Sequence, residues 1–307
     1  MRQPDSSAAG TTPASRLLRA LHHELQVTWR MVADNLPGAV VPPLVIALAV
    51  CLRDDLPLSR ILWHEAEIVI LSFCYIYVFD SSNQARSGDE DRLNKPYRPI
   101  PAGLLTPLGA WRRFWCVMPL YTLLGWRLGV VEWVLLFQAG VILMNMVCTP
   151  RLYLWCKTPF NMAAGVAQLA VSWQVVSPLD GTAWRWFLTI GATYPLAIIF
   201  EDLRDVEGDR AVGRRTPALV LGAWPVRVWF AVLMGIFPVL GHLLLFAPTG
   251  APFWRIVLVD SLYAAMCWAT GARALLFRHA AADRITYQMF ITGCYPTVLI
   301  SGLILWS

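Results

Sequence analysis

The chain has 307 residues, of which 57% are hydrophobic and only 15% are Asp, Glu, Lys or Arg, whereas a typical soluble domain has about 25% charged residues. This composition excludes a water-soluble globular monomer, which would expose too much apolar surface, and a disordered chain, which needs more charge. The apolar residues form runs of about 17–25, the length of a helix that crosses a bilayer. The sequence therefore predicts a polytopic, all-α membrane protein, with the lipid bilayer as its surroundings.

The net charge and the cysteine pattern argue against a nucleic-acid partner and against a disulfide framework or zinc site. The net charge of +5 arises from basic residues in short loops, with no basic tract, so no nucleic-acid partner is expected. Seven Cys are scattered through the chain without a Cys-x-x-Cys pair, which favours small buried side chains over a disulfide framework or a zinc site.

The N-terminal region divides into two segments. Residues 1–15 are rich in Ser, Thr, Ala and Gly and lack the apolar core of a cleavable signal peptide, so we expect a disordered tail. Residues 16–30 place four leucines on one helical face, which predicts an amphipathic helix lying at the membrane interface. The rest of the chain follows without a linker, so 16–307 is expected to form a single domain.

Nine candidate membrane spans follow in chain order. They are roughly 36–52, 61–80, 108–126, 128–147, 159–177, 183–201, 224–246, 253–276 and 285–305. With nine spans, only five basic residues fall on the far side: Arg53, Arg60, Arg127, Arg185 and Arg255. The other twenty of the 25 share the side of the N-terminus, which the positive-inside rule makes cytoplasmic.

Two long polar loops lie on this predicted cytoplasmic side, after spans 2 and 6. If each preceding span continues as a helix, the second loop places Asp202, Asp205 and Asp209 on one face (i, i+3, i+7). The first loop does the same for a set spaced i, i+4, i+7 and i+8, namely Asn83, Ser87, Glu90 and Asp91. Carboxylates at the end of a span are costly and usually functional.

The residue types of these loops predict a metal–diphosphate site. Oxygen-rich faces suit Mg²⁺, which is commonly held by one or two carboxylates together with substrate phosphate. Basic side chains between them suit phosphate oxygens: Lys95, Arg98, Arg204, Arg210, Arg214 and Arg215. Together they describe a site for a diphosphate whose attached chain points into the membrane.

The two loops resemble the motifs of the UbiA superfamily of intramembrane prenyltransferases. The resemblance rests on Asn83 and Asp91 followed by Asn-Lys-Pro-x-Arg-Pro-Ile-Pro, on Asp-x-x-Asp-x-x-Gly-Asp-Arg from Asp202, and on a stretch with Tyr153, Lys157, Asn161 and Gly165. It implies a nine-helix bundle around a central cavity, with two Mg²⁺ ions holding an isoprenyl diphosphate beneath a cytoplasmic cap.

This resemblance assigns expected roles. Catalytic residues would be Asn83, Asp91, Asp202, Asp205 and Asp209; metal ligands would be Asn83, Glu90, Asp91, Asp202, Asp205 and Asp209; diphosphate would contact Lys95, Arg98, Tyr153, Lys157, Arg204 and Arg210. The allylic cation would lie in an apolar cavity, where aromatic faces can stabilise it. Aromatic candidates in or near the spans are Tyr75, Tyr77, Phe79, Phe137, Tyr153, Trp173, Tyr194, Phe200, Tyr287 and Tyr295.

The first loop departs from the prenyltransferase pattern, because Gln84 and Ser87 stand where two acids are expected. A motif with Asn-Gln and a later Glu-Asp resembles the terpene cyclase branch, whose members ionise a linear prenyl diphosphate and cyclise the cation with no second substrate. We therefore expect a Mg²⁺-dependent cyclase, a lyase, acting on a C15–C25 diphosphate. The alternative is a transferase that moves the prenyl group to an aromatic or other small acceptor.

A secondary transporter is the alternative from a different functional class. Intramembrane carboxylates and a layout of two similar halves are typical of transporters. Their acids lie deep in the spans, however, whereas the acid clusters here lie at span ends beside arginines. The sequence favours the enzyme.

Overall fold

The computed structural model describes residues 13–306 of the chain. Residues 1–12, most of the segment for which a disordered tail is predicted, lie outside this range. Within it, all regular elements are helical and no strand is present. The first helix, α1 (Pro13–Val32), starts three residues before the predicted amphipathic helix and turns Leu17 and Leu25 outward. Its placement at a membrane interface stays a prediction.

Fourteen further α-helices follow within the described residues. They are α2 (Leu36–Arg53), α3 (Leu58–Arg86), α4 (Gly88–Asn94), α5 (Pro107–Arg127), α6 (Val131–Ile142), α7 (Tyr153–Gln174), α8 (Gly181–Thr193), α9 (Pro195–Ile198), α10 (Val206–Ala211), α11 (Pro217–Leu221), α12 (Ala223–Leu240), α13 (Phe253–Leu276), α14 (Ala280–Met289) and α15 (Tyr295–Trp306). Three of them run on as π-helical turns, at 143–147 after α6, 241–246 after α12 and 290–294 after α14.

Local capping chemistry explains where α5 and α8 begin. The side chain of Thr106 accepts a hydrogen bond from the Gly109 amide at the start of α5, and Asp180 accepts one from Ala183 at the start of α8. Such caps satisfy amides that have no partner within the helix. Pro107 opens α5, where its missing amide hydrogen costs nothing.

Four helical segments of residues 13–306 are long and apolar enough to cross a membrane. They cover Leu36–Arg53, Leu58–Arg86, Ala223–Thr249 and Ala280–Trp306, and a shorter apolar helix covers Val131–Val147. The other predicted spans also fall on helices, but these are shorter or carry charges, as α5 does with its two adjacent arginines. Nine membrane-spanning helices therefore remain a prediction.

The long helices pack as a ring. Consecutive pairs are in contact from α2 through α3, α5, α6, α7 and α8, and again from α12 through α13 to α15. The π-helical turn after α12 closes one gap by packing on α8, and α15 closes the other by packing on α2. Many large apolar side chains, among them Leu123, Trp126 and Phe253, face outward, as expected where the surrounding solvent is lipid.

Both polar loops interrupt their helices, contrary to the assumption of continuous helices. In the first loop α3 ends at Arg86, and α4 begins at Gly88 after Ser87. In the second a 3₁₀ turn, Ile199–Leu203, precedes Asp205, which lies outside helical geometry before α10 begins. The acids thus do not share one straight helical face, and these breaks fold both loops over the same end of the ring.

Candidate active site

The two polar loops pack directly on each other. Helix α4 of the first loop contacts α10 of the second, and the Asn94 amide donates to the Asp205 carbonyl at 3.4 Å. Gly208 lies so close to Asn94 that a Cβ atom there would be 2.3 Å from the Asn94 amide nitrogen. Only glycine permits this approach, so Gly208 allows the loops to close into one cap.

A polar chamber of about 210 Å³ lies beneath this cap. Its charged lining comprises Glu90, Lys95, Arg98, Lys157, Glu201, Asp202, Asp205, Asp209 and Arg214, and Asn35, Asn83, Tyr153 and Asn161 are among its neutral polar members. The charged side chains and the four named neutral ones come from the two loops with the end of α3, from the start of α7 and from the residue before α2. The chamber thus gathers hard oxygen ligands and phosphate-binding cations in one small volume.

Lys157 joins α7 to the second loop. Its Nζ atom donates to Asp202 Oδ1 at 2.6 Å and to Glu201 Oε2 at 3.4 Å. The Asp202 carboxylate is 2% exposed, and its Oδ2 atom has no hydrogen-bond partner within residues 13–306. A buried carboxylate oxygen without a donor is costly, so this atom is suited to accept a ligand in the chamber.

Arg214 bridges the two loops. Its guanidinium lies 2.8 Å from Asp209 Oδ1 in the second loop and 2.6 Å from Glu90 Oε2 in the first. It also stacks over the Tyr153 ring, with its Cζ atom 4.3 Å from the ring centroid. Arg204, by contrast, pairs with Glu201 and lies 3.6 Å from Asp205.

Asp91 lies behind the chamber wall, outside its lining. Both of its carboxylate oxygens accept hydrogen bonds from Arg98 Nη1, at 3.0 and 3.1 Å, and Oδ2 also accepts one from Ser87. Arg98 in turn reaches Asp34 at 3.3 Å, between α1 and α2. Asp91 is therefore placed to hold Arg98 against the chamber.

Burial changes the acidity of the carboxyls in the second loop. Desolvation raises the pKa of Asp209 to about 7, despite the opposing effect of Arg214. Desolvation also raises the pKa of Asp202, with Lys157 acting in the opposite direction. A nearby positive charge therefore stabilises the ionised form of each carboxylate.

The structure brings most of the predicted site residues together. Asn83, Glu90, Asp202, Asp205, Asp209, Lys95, Arg98, Tyr153 and Lys157 line the polar chamber, whereas Arg204 lines the cavity next to it. Arg210 is exposed and lines neither space, whereas Arg214 lines the polar chamber; the diphosphate contact predicted for Arg210 stays a prediction. The spacing of the second motif could not separate these two arginines, since they are one helical turn apart.

Two polar chamber residues were not anticipated as site residues. Glu201 precedes the Asp triplet and contacts Lys157, and Asn35 precedes α2 and donates to Asp80 at 2.7 Å. Glu201 could have been found from the sequence, because it lies four residues before Asp205 and so extends the spacing of the acids in the second loop. Asn35 had none, because its partner is 45 residues away.

A larger central cavity opens directly from the polar chamber. It has a volume of about 670 Å³ and shares Lys95, Glu201 and Asp205 with the chamber. Of the aromatic candidates, Tyr75, Phe79, Phe137 and Tyr287 line it, whereas Tyr77, Trp173 and Phe200 line neither space. The Tyr75 and Phe137 rings stack with centroids 3.8 Å apart. The polar chamber thus opens into a space lined by aromatic rings as well as by polar and charged side chains.

No three acidic, His or Cys side chains within residues 13–306 converge closely enough to hold a metal ion on their own. Asp202, Asp205 and Asp209 each lie beside a cationic side chain, Lys157, Arg204 and Arg214 respectively. The donor set nevertheless suits Mg²⁺, because Asn83, Glu90, Asp202, Asp205 and Asp209 all line one chamber and Asp202 Oδ2 is free of hydrogen-bond partners there. Substrate phosphate would supply the remaining oxygens.

Comparison with protein families gives one match over most of the chain. A sequence model of the UbiA prenyltransferase family matches residues 40–293. The chain is 34% identical over 288 residues to a somaliensene A/B synthase of Streptomyces somaliensis, covering 93% of this chain and 94% of that protein. It is 32% identical over 225 residues to the diterpene cyclase eriG of Hericium erinaceus, covering 68% and 71%.

Solved structures share the fold. A digeranylgeranylglyceryl phosphate synthase superposes with a TM-score of 0.64 at 14% identity, over 93% of this chain and 99% of that chain. A UbiA homolog from Archaeoglobus fulgidus bound to DMAPP and Mg²⁺ superposes with a TM-score of 0.63 at 14% identity, over 90% and 99%.

Proposed function

The chain belongs to the UbiA prenyltransferase family, and from this premise we propose that it is a Mg²⁺-dependent terpene cyclase that acts on a linear prenyl diphosphate. One observation carries the proposal: a chamber of paired carboxylates and cations opens directly into an aromatic cavity inside the helical ring. The similarity to a somaliensene A/B synthase and a diterpene cyclase supports cyclisation over transfer.

The polar chamber is the proposed diphosphate site. Asn83, Glu90, Asp202, Asp205 and Asp209 would hold Mg²⁺, which when bound supplies charge neutralisation for the leaving group. Lys157 and Arg214 contribute positive charge from the protein and can turn from their carboxylates toward phosphate oxygens. The metal role expected for Asp91 stays a prediction, and its contacts favour positioning of Arg98.

The central cavity is the proposed site of cyclisation. The allylic C–O bond breaks with its electron pair leaving on the diphosphate, and the carbocation is attacked by a double bond of its own chain. Loss of a proton or capture of water ends the reaction. Tyr75, Phe79 and Phe137 present aromatic faces that stabilise positive charge.

The departure at Gln84 and Ser87 supports the cyclase assignment. Gln84 is buried and donates to the Met31 carbonyl of α1, at 2.7 Å, and Ser87 donates to Asp91. Neither side chain lines the polar chamber. At the two positions that carry acids in the transferase pattern, this chain thus has side chains that make hydrogen bonds within the protein.

We propose that the cap faces the cytoplasm. The four long apolar helices and the family establish an integral membrane protein. Under the nine-span topology, twenty of the 25 basic residues lie on the side of the two loops. The positive-inside rule places that side in the cytoplasm, where diphosphate and Mg²⁺ are available.

A product assay without acceptor tests the proposal. Purified protein in lipid nanodiscs receives Mg²⁺ and a C15, C20 or C25 prenyl diphosphate, and products are identified by mass spectrometry. A cyclic hydrocarbon or alcohol with release of diphosphate is the expected result. Turnover only after addition of an aromatic acceptor would overturn the cyclase and establish the prenyltransferase instead.

A further inference from the structure

A second apolar space, here called the deep chamber, continues from the central cavity away from the cap. It has a volume of about 160 Å³, and the residues found only in it are Gly165, Ile190, Gly191, Tyr194, Pro195, Phe290 and Tyr295. It shares Gly38, Asn161 and Ile198 with the central cavity, so the two spaces communicate. The deep chamber has no charged residue in its lining.

The polar chamber and the deep chamber lie at different positions along α7. At the cap, Lys157 of α7 contacts Asp202. Eight residues further along α7, about 12 Å along the helix axis, Gly165 faces Gly191 of α8. A prenyl chain whose diphosphate is bound near Lys157 therefore extends toward Gly165 as it enters the ring.

The two glycines at this level have different roles. A Cβ atom on Gly191 would lie 2.5 Å from Val166 Cγ2 and 2.9 Å from the Val166 amide nitrogen, so Gly191 permits close packing of α8 on α7. A Cβ atom on Gly165 would meet only the Gly191 backbone, at 3.6 Å, an ordinary contact. Alanine therefore fits at position 165, and a larger side chain there takes up chamber volume.

Tyr194, at the end of α8, is a wall residue of the deep chamber and is held by several contacts. Its hydroxyl donates to the Cys294 carbonyl at 3.0 Å and lies 2.6 Å from the Tyr263 hydroxyl. Its ring stacks on Phe237 and Phe290, with centroids 5.0 and 5.5 Å away. A wall fixed by both hydroxyl and ring contacts cannot retreat when the chamber is filled.

We propose that the deep chamber receives the end of the prenyl chain farthest from the diphosphate, and that Gly165 sets the longest chain accepted. The inference rests on the proposed function for its substrate class, a prenyl diphosphate. The inference assigns to Gly165 a role in specificity for chain length, in a chamber whose lining has no charged residue. One extra or missing methylene in a hydrophobic pocket discriminates ligands by about 10-fold or more.

Binding of unreactive prenyl thiolodiphosphates of C10, C15, C20 and C25 to the full chain tests this inference. Gly165→Val is expected to weaken the longest analogue bound by the wild type by about 10-fold or more, and the C10 analogue by less than about 3-fold. Gly165→Ala should give an intermediate effect and keeps the test valid if the valine variant fails to fold. Gly235→Val is the matched control, because Gly235 is an exposed α12 glycine with open space around its Cβ position.

Two outcomes separate the inference from the proposed function. Equal weakening of all four analogues, or none, in a folded Gly165→Ala variant would overturn the role of the deep chamber. Failure of the wild type to bind any of the analogues in the presence of Mg²⁺ would overturn the proposed function itself.

Discussion

The Lys157 ammonium donates to the Asp202 carboxylate at 2.6 Å and so links the start of α7 to the loop that follows α9. Both groups are largely buried, and the second oxygen of Asp202 has no partner within residues 13–306. This contact fixes one side of the polar chamber and directs a free carboxylate oxygen to the position where the proposed Mg²⁺–diphosphate complex would bind.

Replacement of that carboxylate should abolish turnover. Asp202→Asn retains the shape of the side chain but removes the charge, and we expect diphosphate release to fall by about 100-fold or more. Glu207→Gln is the control, because Glu207 is an exposed acid in the same loop and lines neither cavity. Release measured by a coupled diphosphate assay at near wild-type rate for Asp202→Asn would contradict the metal site.

Loss of the bridging arginine should disturb both loops together. In Arg214→Gln, Glu90 and Asp209 lose their shared cation, so we expect kcat/KM for the prenyl diphosphate to fall by about 10- to 100-fold. Arg215→Gln removes an exposed neighbouring charge and should retain most activity. An equal effect of the two substitutions would indicate that only the net charge of the cap matters.

Asp91 should matter for stability as well as for activity. In Asp91→Ala the buried Arg98 keeps only its contact with Asp34, and breaking such a buried pair costs about 3 kcal/mol. The expected result is a clearly lower Tm in detergent. Asp89→Ala, which removes an exposed acid of the same short helix, should leave Tm unchanged. A Tm of Asp91→Ala equal to that of the wild type would argue for a role in metal binding alone.

The Mg²⁺ concentration that gives half-maximal activity should change with pH. Burial raises the pKa of Asp209 to about 7, so the carboxyl is largely protonated at pH 6 and largely ionised at pH 8. Protons compete with the metal for a carboxylate, and the Mg²⁺ concentration for half-maximal activity should therefore be higher at pH 6. Chelation with EDTA should stop turnover, and added Mg²⁺ should restore it. The same Mg²⁺ requirement at both pH values would exclude Asp209 as a ligand.

The sequence located the helices and the acid-rich loops well, because both depend on local patterns. Apolar runs marked the positions of α2 and α13 closely, whereas α3 extends beyond its predicted span at both ends; the resemblance to the UbiA superfamily is confirmed by the family match. The assumption that the loops continue as helices was wrong, since Ser87 and Asp205 interrupt them. The acids of the second loop nonetheless line one chamber, because α10 folds back against α4.

Contacts between distant segments could not be read from spacing. Arg98 pairs with Asp34 across 64 residues, and Lys157 pairs with Asp202 across 45. Which of Arg210 and Arg214 faces the chamber depends on the turn after α10, where Gly213 adopts a positive φ of 65°. Such pairings follow from the packed ring and its loops, and so require the three-dimensional structure.

Helix α7 carries residues of opposite character at its two levels, with Lys157 at the cap and Gly165 in the deep chamber. On the proposed function, one level starts the reaction and the other shapes the folded chain. The two tasks can therefore evolve separately: substitutions in the inner half of this helix can change the length of prenyl chain that is accepted, while the residues that release diphosphate are inherited intact. A family built on this plan can diversify its products without having to reinvent its first chemical step.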